Sequence, residues 1–431
     1  MTLNRALKIV AGIYLVGLIV AVMAYKAAFV GLMFSSPFFG VYSVCVASYI
    51  LSRFVFSLFY RSRPDVGHEP RIAIVMPGFN EADAIAQSLR ALLAVDYPQD
   101  KLELIAVNDG STDSTLEQMQ MVAAEARGRV RVIDFPENRG KRAAMAAGIR
   151  DSSAEVVAFV DSDSVIEPDA LRKLVQPLAD PKVGAVCGHA DVLNVGDTWL
   201  TRMQAVRYFV AFRVVKAAES VFSAVTCCSG CFSAYRREAI LPRMEWWENQ
   251  RFLGVESTFG DDRSLTNCVL RDWQVVYEKN AVSHTIVPDR FRAFVTQQTR
   301  WKRSWTRESM QVATFIWRKH PIAALFTYLS IVLPLLAPVA ALHAIVWGPI
   351  AHGGTLPLVY IAGIYALAMV YSLYYVLFQD EYSLVWVYGV LFVFFYLGIM
   401  LWQTYYAIAT CRTAQWGTRP ATAGVGAGAS R

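Results

Sequence analysis

An apolar run that ends in a polar turn occurs at RIAIVMPGFNE, residues 71–81. Residues 71–76 are rich in branched apolar side chains, which is typical of a strand buried on both faces. Pro77 and Gly78 favour a loop, and helical spacing follows over residues 83–93. The stretch therefore predicts the first strand–loop–helix unit of an α/β fold.

The same alternation continues along the middle of the chain. Further strands are predicted at 102–108, 130–135 and 156–160, with a helix at 140–150. Because strands and helices alternate, the pattern predicts an α/β domain with a mostly parallel sheet.

Polar side chains follow three of these strands. Asn80 follows the first, Asp109 the second, and the pair Asp161 and Asp163 the fourth. Ligands of such sheets bind at the carboxyl ends of the strands. The spacing therefore predicts one ligand site built from these residues.

The Asp161-Ser-Asp163 pair indicates a hard divalent cation. Two carboxylates after a buried strand can hold such a cation and leave positions open for diphosphate oxygens. The cation would neutralise charge on a departing nucleoside diphosphate. Lys141 and Arg142 can add positive charge beside the same phosphates, or they can be a solvated start of a helix.

Two further clusters carry chemistry. Gly260-Asp261-Asp262-Arg263 offers a carboxylate that can accept a proton from an acceptor hydroxyl. Gln297-Gln-Thr-Arg300-Trp301 lies in a basic, aromatic stretch with the pattern of an interfacial helix. Its aromatic rings can also stack on sugars.

The two ends of the chain are apolar. Hydrophobic residues make up 55% of the chain and the mean hydropathy is +0.34, which favours membrane spans over a soluble enzyme. Spans are predicted at 6–25, 38–60, 322–347, 356–378 and 384–410. Basic residues before the first and after the second favour a hairpin with both ends in the cytosol. The net charge of +6, without a basic block, does not indicate nucleic-acid binding.

This pattern predicts five regions: an N-terminal membrane hairpin (1–67), a cytosolic catalytic domain (68–290), an interface helix region (291–320), a C-terminal membrane bundle (321–411) and a cytosolic tail (412–431). Three simple C-terminal spans would place the tail outside the cell. Pro334 and Pro338 can instead turn the first of them into a hairpin or re-entrant element, so the span count stays open.

The seven cysteines have no disulfide-framework spacing, which favours a reducing compartment.

The motifs together resemble the processive family 2 glycosyltransferases, which include hyaluronan, chitin and cellulose synthases. The resemblance rests on Asp109-Gly-Ser, Asp161-Ser-Asp163, Gly260-Asp-Asp262 and Gln297-x-x-Arg300-Trp301. It implies a GT-A catalytic domain, a Mg²⁺ or Mn²⁺ cofactor, and membrane helices that form a channel for the growing polymer.

The chain is most similar in its motifs to the hyaluronan synthases. These motifs are Arg207-Tyr-Phe-Val-Ala-Phe212, Cys228-Ser-Gly230 and Trp416-Gly-Thr-Arg419. The last lies on the cytosolic side in that family, which favours an even number of spans. One departure is Cys231, where the family usually has proline. Rhizobial chitin-oligosaccharide synthases usually carry Gly-Glu-Asp where this chain has Gly-Asp-Asp.

The resemblance also implies roles for individual residues. The UDP moiety would be contacted by Asn80, Asp109, Lys141, Arg142 and Asp161. The metal would be held by Asp161 and Asp163, and Asp262 would be the general base with support from Asp261. The acceptor and diphosphate would be held by Cys228, Ser229, Gly230, Gln297, Arg300, Trp301 and Arg419.

The implied activity is synthesis of hyaluronan from UDP-GlcNAc and UDP-GlcA by a single multi-pass chain, surrounded by the lipids of the cell membrane, with its catalytic domain in the cytosol. One alternative is a chitin or chitin-oligosaccharide synthase that uses UDP-GlcNAc alone. An alternative of another class is a membrane transporter or sensor with a sugar-nucleotide-binding domain. That alternative leaves Asp262 and the Gln-x-x-Arg-Trp cluster without a role.

Overall fold

A computed structural model of the protein describes residues 3–28, 37–352, 356–379 and 383–413. The Trp416-Gly-Thr-Arg419 motif, and with it Arg419, lies outside these residues. The described strands are β1 Ile72–Gly78, β2 Leu102–Asn108, β3 Val130–Asp134, β4 Val156–Phe159, β5 Ser164–Ile166, β6 Val183–Val192, β7 Ser233–Arg236, β8 Arg251–Phe252, β9 Val255–Glu256 and β10 Gln274–Thr285.

Eight of the described strands form one sheet in the order β3-β2-β1-β4-β7-β6-β10-β5. β3, β2, β1 and β4 are mutually parallel, as the alternation predicts. β7 pairs antiparallel with both β4 and β6, while β6 and β10 are again parallel. The mostly parallel sheet of the predicted α/β domain is confirmed.

β1 lies in the centre of the parallel half and is buried on both faces. Ala73 and Val75 belong to the apolar cluster on one face of the sheet, and Ile72 and Ile74 belong to the cluster on the other. Successive side chains of a strand point to opposite faces. A strand covered on both faces therefore needs an unbroken apolar run, which is the pattern of residues 71–76.

The register brings the ends of the parallel strands to one edge. Gly78 at the end of β1 lies opposite Asn108 at the end of β2, and Val75 lies opposite Phe159 at the end of β4. The backbone N–H of Asp109 donates to the carbonyl of Gly78 at 2.9 Å. The loops that carry Asn80, Asp109 and Asp161 therefore leave the sheet side by side.

Helices cover the sheet and extend beyond it. Those that precede or cover the sheet are α1 Leu3–Ala28, α2 Pro37–Phe59, α3 Ile85–Leu93, α4 Thr115–Glu125, α5 Lys141–Asp151, α6 Ala170–Val175, α7 Trp199–Phe209, α8 Ala217–Val221, α9 Arg237–Ile240, α10 Met244–Glu248 and α11 Asp261–Leu270. Those that follow it are α12 Phe291–Ala313, α13 Pro321–Leu342, α14 Gly348–His352, α15 Leu356–Phe378, α16 Val387–Phe395 and α17 Leu401–Ala409. π-helical turns join α7 to α8 over Val210–Lys216, α13 to α14 over His343–Trp347, and α16 to α17 over Tyr396–Met400.

Four helical segments in the described part of the chain are long and apolar enough to cross a membrane: Gly40–Phe59, Pro321–Ala351, Tyr360–Phe378 and Leu384–Ala409. α1 carries a shorter apolar run, Lys8–Ala21. Pro334 and Pro338 both lie inside α13, which continues through them. The break that these prolines suggested is not formed, and the segment is one helix. The four segments support a membrane location for the protein.

The membrane helices contact one another and the sheet domain. Arg53 of α2 is buried, and its guanidinium lies 4.6 Å from the ring centre of Phe326 in α13. Tyr60, just after α2, donates its hydroxyl to the carbonyl of Tyr277 in β10 at 2.8 Å. Lys302 of α12 donates to Thr404 of α17 at 2.8 Å. The sheet domain is thus attached to helices from both ends of the chain.

Candidate active site

The loops after β1 and β2 are held together by Asn80. Its backbone has a φ of 54°, in the left-handed region that asparagine tolerates better than most residues. The Asn80 N–H donates to Ser111 Oγ at 3.1 Å, and Asn80 Oδ1 accepts from the Thr112 N–H at 2.8 Å. The side chain is half-buried, so part of its surface is open to solvent at the ends of the strands.

Asp109 is almost completely buried and is used by the backbone of the next loop. Its Oδ1 accepts from the N–H groups of Arg139 at 2.8 Å and Gly140 at 3.1 Å. Gly110 follows with a φ of +65°, where a Cβ would collide with the backbone of residues 137 and 138. The two hydrogen bonds that Asp109 accepts fix the backbone of Arg139 and Gly140, directly before α5 begins at Lys141. The hydrogen bonds of the Asp109 carboxylate position the backbone that leads to Lys141. They do not test the predicted contact of Asp109 with a nucleotide, which stays a prediction.

Lys141 forms an ion pair with Asp161 across the strand ends. Burial by itself would lower the pKa of Lys141, but the charges of Asp161, Asp262 and Asp261 together raise it. An ammonium group that stays protonated here suits a site that receives phosphate.

Asp163 lies next to this pair. Its Oδ1 accepts from the hydroxyls of Ser164 at 3.3 Å and Thr285 at 3.5 Å. Burial, and then the charge of Asp161, raises the pKa of Asp163 to about 6. Asp161 and Asp163 are close enough to influence each other's charge, and two neighbouring carboxylates are a donor set that fits a divalent cation. In the part of the chain that the structure describes, no group of three or more His, Cys, Asp or Glu side chains could hold a metal, so substrate oxygens would have to complete the coordination.

The loop with Cys228, Ser229 and Gly230 lies between the two acidic clusters. Cys227 Sγ is 3.9 Å from Asp262 Oδ2, and the Cys228 N–H donates to Thr266 Oγ1 at 2.9 Å. The Cys228 side chain is fully buried, whereas Ser229 and Gly230 are half-buried. Of the three predicted acceptor residues, Ser229 and Gly230 therefore have surface to offer a ligand, while the Cys228 thiol belongs to the core.

Substitution of Gly230 by alanine should disturb the Lys141–Asp161 ion pair without unfolding the chain. A Cβ at this position would lie 2.9 Å from Asp161 Oδ1 and 3.1 Å from Lys141 Nζ, so the ion pair has to move. A displacement of this kind can lower the rate of transfer by up to about 10²-fold. The measurement is the steady-state rate of the activity that the resemblance implies, sugar incorporation, with Gly196→Ala as control because a Cβ there meets nothing within 4 Å. A Gly230→Ala enzyme with the rate of the control would contradict the expectation.

Asp261 and Asp262 begin α11 but have different surroundings. Asp261 is buried, and its Oδ1 accepts from Arg142 Nε at 2.8 Å. Trp247 donates its ring N–H to the Asp261 carbonyl at 3.3 Å. Asp262 is half-buried, and its Oδ1 accepts from the N–H of Arg263 at 2.8 Å. The first carboxylate is fixed by an ion pair, while the second is left accessible to a substrate.

The structure gives Arg142 a different place from the predicted one. The side chain is buried, with its guanidinium directed at Asp261 and at the carbonyl of Trp247, 3.0 Å away. It therefore pairs with Asp261 and not with Asp161, the carboxylate that forms the ion pair with Lys141. Direct contact between Arg142 and UDP has no support in this geometry, because the guanidinium is buried against Asp261 and Trp247.

α12 packs directly on the turn that carries these carboxylates. Gly260 has a φ of +87°, and a Cβ there would collide with Ser304 of α12. Arg307 Nη2 donates to the Phe259 carbonyl at 2.8 Å, and Asn267 Nδ2 donates to Glu308 Oε2 at 3.2 Å. Trp247, Ser304, Arg307 and Glu308 were not singled out from the sequence. No local pattern marks them, because their partners are distant along the chain.

The Gln-x-x-Arg-Trp residues lie on the half of α12 that precedes Ser304. Gln297 Oε1 accepts from Gln298 Nε2 at 3.3 Å, and Arg300 is half-buried. The Trp301 ring is 37% exposed, and the Arg207 guanidinium of α7 lies 5.5 Å from its centre. α12 therefore carries both the contacts that hold the Gly260–Asp262 turn and the aromatic ring predicted to meet the acceptor.

Comparison with known proteins identifies the family of the chain. Residues 73–241 match the family model described as glycosyl transferase family 2. The chain is 31% identical to the hyaluronan synthase of Streptococcus pyogenes over 422 residues, which cover 96% of this chain and 97% of that protein. It is 38% identical to an N-acetylglucosaminyltransferase of Rhizobium meliloti (strain 1021) over 242 residues, 56% of this chain and 57% of that one.

A solved structure shares the fold. It is a mannosyltransferase from Pyrobaculum calidifontis in complex with GDP-Man and Mn²⁺, with a TM-score of 0.58, 21% identity, and coverage of 86% of this chain and 98% of that one. The predicted GT-A fold is confirmed. The similarity to the hyaluronan synthase extends over nearly the whole length of both proteins. The chain is therefore a glycosyltransferase that belongs to family 2 and is close to the hyaluronan synthases.

Proposed function

We propose that this glycosyltransferase is processive and inverting, and that it joins UDP-GlcNAc and UDP-GlcA into hyaluronan. The observation that carries the proposal is the accessible Asp262 carboxylate beside the Lys141–Asp161 pair, on a turn against which α12 is packed. The similarity to the Streptococcus pyogenes hyaluronan synthase over 96% of the chain supports this choice of product.

The donor would bind at the ends of β1, β2 and β4. Lys141 supplies a fixed positive charge for the diphosphate, and Asn80 borders the cleft from the β1 side. Asp161 and Asp163 would hold Mg²⁺ or Mn²⁺, which when bound neutralises charge on the departing diphosphate. The Mn²⁺ in the mannosyltransferase of the same fold supports a divalent cofactor.

Asp262 would be the general base. Its carboxylate accepts the proton of the acceptor hydroxyl, the hydroxyl oxygen forms a bond to the anomeric carbon of the donor sugar, and the bond from that carbon to the diphosphate breaks. UDP leaves with the bonding electrons. Attack opposite the leaving group inverts the anomeric carbon and gives a β-linkage from an α-linked UDP-sugar. Asp261, held by Arg142, positions the turn.

The acceptor end would lie along the loop with Ser229 and Gly230 and along α12, at Gln297, Arg300 and Trp301. Arg419, from the motif outside the described residues, is proposed for the same site on the resemblance alone. The cytosolic side of the membrane is the proposed location of residues 68–290 and of the tail, 412–431. The membrane helices at 1–67 and 321–411 would provide the export path, with α12 in the interface region 291–320.

Removal of the Trp301 ring should shorten the product. The ring offers an exposed face to the sugar, and loss of the apolar area that it would cover weakens binding by up to about 1.5–3 kcal/mol, the value for fully burying a large apolar side chain. Trp301→Ala should therefore release chains earlier, which gel filtration of radiolabelled product measures. Trp317→Ala is the control, because Trp317 is 61% exposed and lies beyond α12. Unchanged product length in Trp301→Ala would remove Trp301 from the acceptor site.

The choice of sugars is tested with the purified full chain in lipid and Mg²⁺ or Mn²⁺. UDP-GlcNAc alone, UDP-GlcA alone, and both together are supplied in parallel. The expected result is polymer only with both donors, and its complete digestion by a hyaluronan-specific lyase. Polymer from both donors that resists the lyase would contradict hyaluronan as the product.

A second candidate is synthesis of chitin or chitin oligosaccharides from UDP-GlcNAc alone. The observation that favours it is the 38% identity to the rhizobial N-acetylglucosaminyltransferase, which is higher but covers only 56% of this chain. Product from UDP-GlcNAc alone would decide for this candidate.

A further inference from the structure

Two cations lie beside Trp301 where α12 meets the last membrane helices. Arg207 of α7 donates to Gln298 Oε1, and its guanidinium lies 5.4 Å from the ring centre of Phe392 in α16. Lys302, the residue after Trp301, donates to Thr404 and lies 5.8 Å from the ring centre of Tyr396. Arg207 and Lys302, with Trp301, Phe392 and Tyr396, form what we name the cationic strip.

The cationic strip lacks a counter-charge. Among the described residues, no carboxylate lies within 4 Å of the charged nitrogens of Arg207 or Lys302. Both side chains are half-buried. Burial lowers the pKa of Arg207 to about 10, and burial, followed by the charge of Arg207, lowers the pKa of Lys302 to about 8. Two partly desolvated cations that repel each other are costly. An anion bound between them would offset that cost.

The chemistry of the strip specifies the anion. The 37% exposed face of Trp301 can cover the apolar face of a sugar ring. Arg207, 5.5 Å from that ring, presents a planar set of donors that matches a carboxylate. A sugar ring that carries a carboxylate can contact the Trp301 ring and pair with the Arg207 guanidinium at the same time. A neutral amino sugar would satisfy the aromatic ring and leave the cations unpaired.

We infer that Arg207 and Lys302 bind the carboxylate of a uronic acid residue in the acceptor chain, and so make the enzyme select an anionic polymer over a neutral one. The inference rests on the proposed function, since it takes the acceptor to pass Trp301. It identifies Arg207 as the residue that determines specificity, outside the strand-end site.

Binding of matched oligosaccharides to the purified full chain tests this. The probes are a tetrasaccharide of alternating GlcA and GlcNAc, and the same tetrasaccharide with its carboxyl groups converted to methyl esters. We expect the wild type to bind the acid with a Kd about tenfold to a hundredfold lower than the ester, since a charged hydrogen bond is worth about 1.5–3 kcal/mol. Arg207→Gln should abolish this ratio and Lys302→Met should reduce it.

Two further variants keep the test decisive. Arg207→Lys retains the charge and should keep part of the ratio, which a merely structural role of the guanidinium would not produce. Arg202→Gln is the matched control on α7, because Arg202 contacts Tyr388 in a similar way, at 5.6 Å, without touching Trp301. It should keep the full ratio.

The outcomes separate the two proposals. An enzyme that needs both donors for polymer, but whose Arg207→Gln variant keeps the wild-type ratio, overturns the inference alone. An enzyme that makes polymer from UDP-GlcNAc alone and binds acid and ester equally overturns the proposed product and the inference together. If Arg207→Gln does not elute as a folded, monodisperse protein, the Lys302→Met ratio decides, and an unchanged ratio there overturns the inference.

Discussion

We expect Asp262→Asn to lower the rate of sugar transfer by about 10²–10⁴-fold, the usual contribution of a general base, while the binding of UDP-GlcNAc, the proposed donor, is retained. The amide has the shape of the carboxylate but cannot accept the acceptor proton. Among the described residues, the Asp262 side chain accepts a hydrogen bond from the next N–H and makes a long contact to Cys227, so the substitution should leave the turn in place. The measurement combines steady-state sugar incorporation with the Kd of UDP-GlcNAc.

The matched control for this variant is Asp272→Asn. Asp272 is exposed, and its carboxylate pairs with Arg243 at 2.9 Å on the surface. The control should retain the wild-type rate. If Asp262→Asn kept more than about a tenth of the rate, a loss smaller than general bases contribute, Asp262 would not be the base and the proposed chemistry would be wrong.

Arg142→Met should destabilise the protein by about 3–5 kcal/mol, the range for removing one partner of a buried ion pair. The two side chains are only 6% and 3% exposed, so the carboxylate of Asp261 would remain buried without its cation. The same turn carries Asp262, so transfer should be lost as well. Thermal unfolding in detergent, followed by tryptophan fluorescence, measures the change.

Two comparisons isolate the buried charge as the cause. Arg150→Met lies on the same helix, α5, and removes a pair with Glu248 in which the arginine is 56% exposed. An exposed pair of this kind contributes about 0–1 kcal/mol. The double variant Arg142→Met with Asp261→Asn should be more stable than Arg142→Met, because the unpaired charge is gone. A double variant less stable than the single one would refute this explanation.

The strand-end half of the site was predictable because its information is local. Each of Asn80, Asp109 and Asp161 follows a buried apolar run, and parallel strands end at one edge of the sheet. Gly110 likewise marks a turn that only glycine fits. The identity of these residues and their order along the chain were therefore enough to place them together.

The other half of the site was not predictable in this way. The residues near Arg142 in the sequence do not show whether its side chain binds phosphate or pairs with Asp261. The outcome depends on how α5 is oriented relative to Trp247. Arg207 and Trp301 are far apart in the chain and meet only because α7 and α12 both pack against the last membrane helices. The antiparallel strand β7 in the middle of the sheet has no periodic signal that sets its direction.

The amino-acid sequence by itself determined the α/β domain between apolar ends, the polar side chains that follow β1, β2 and β4, and the resemblance to family 2 glycosyltransferases. Those features depend on short-range periodicity, turn chemistry and motif spacing. Tertiary structure alone decided which of the two neighbouring carboxylates is fixed and which is open: Arg142 reaches Asp261 and not Asp262. The physical reason is that charge pairing inside a protein follows distance and burial, which the fold sets between residues far apart in the chain.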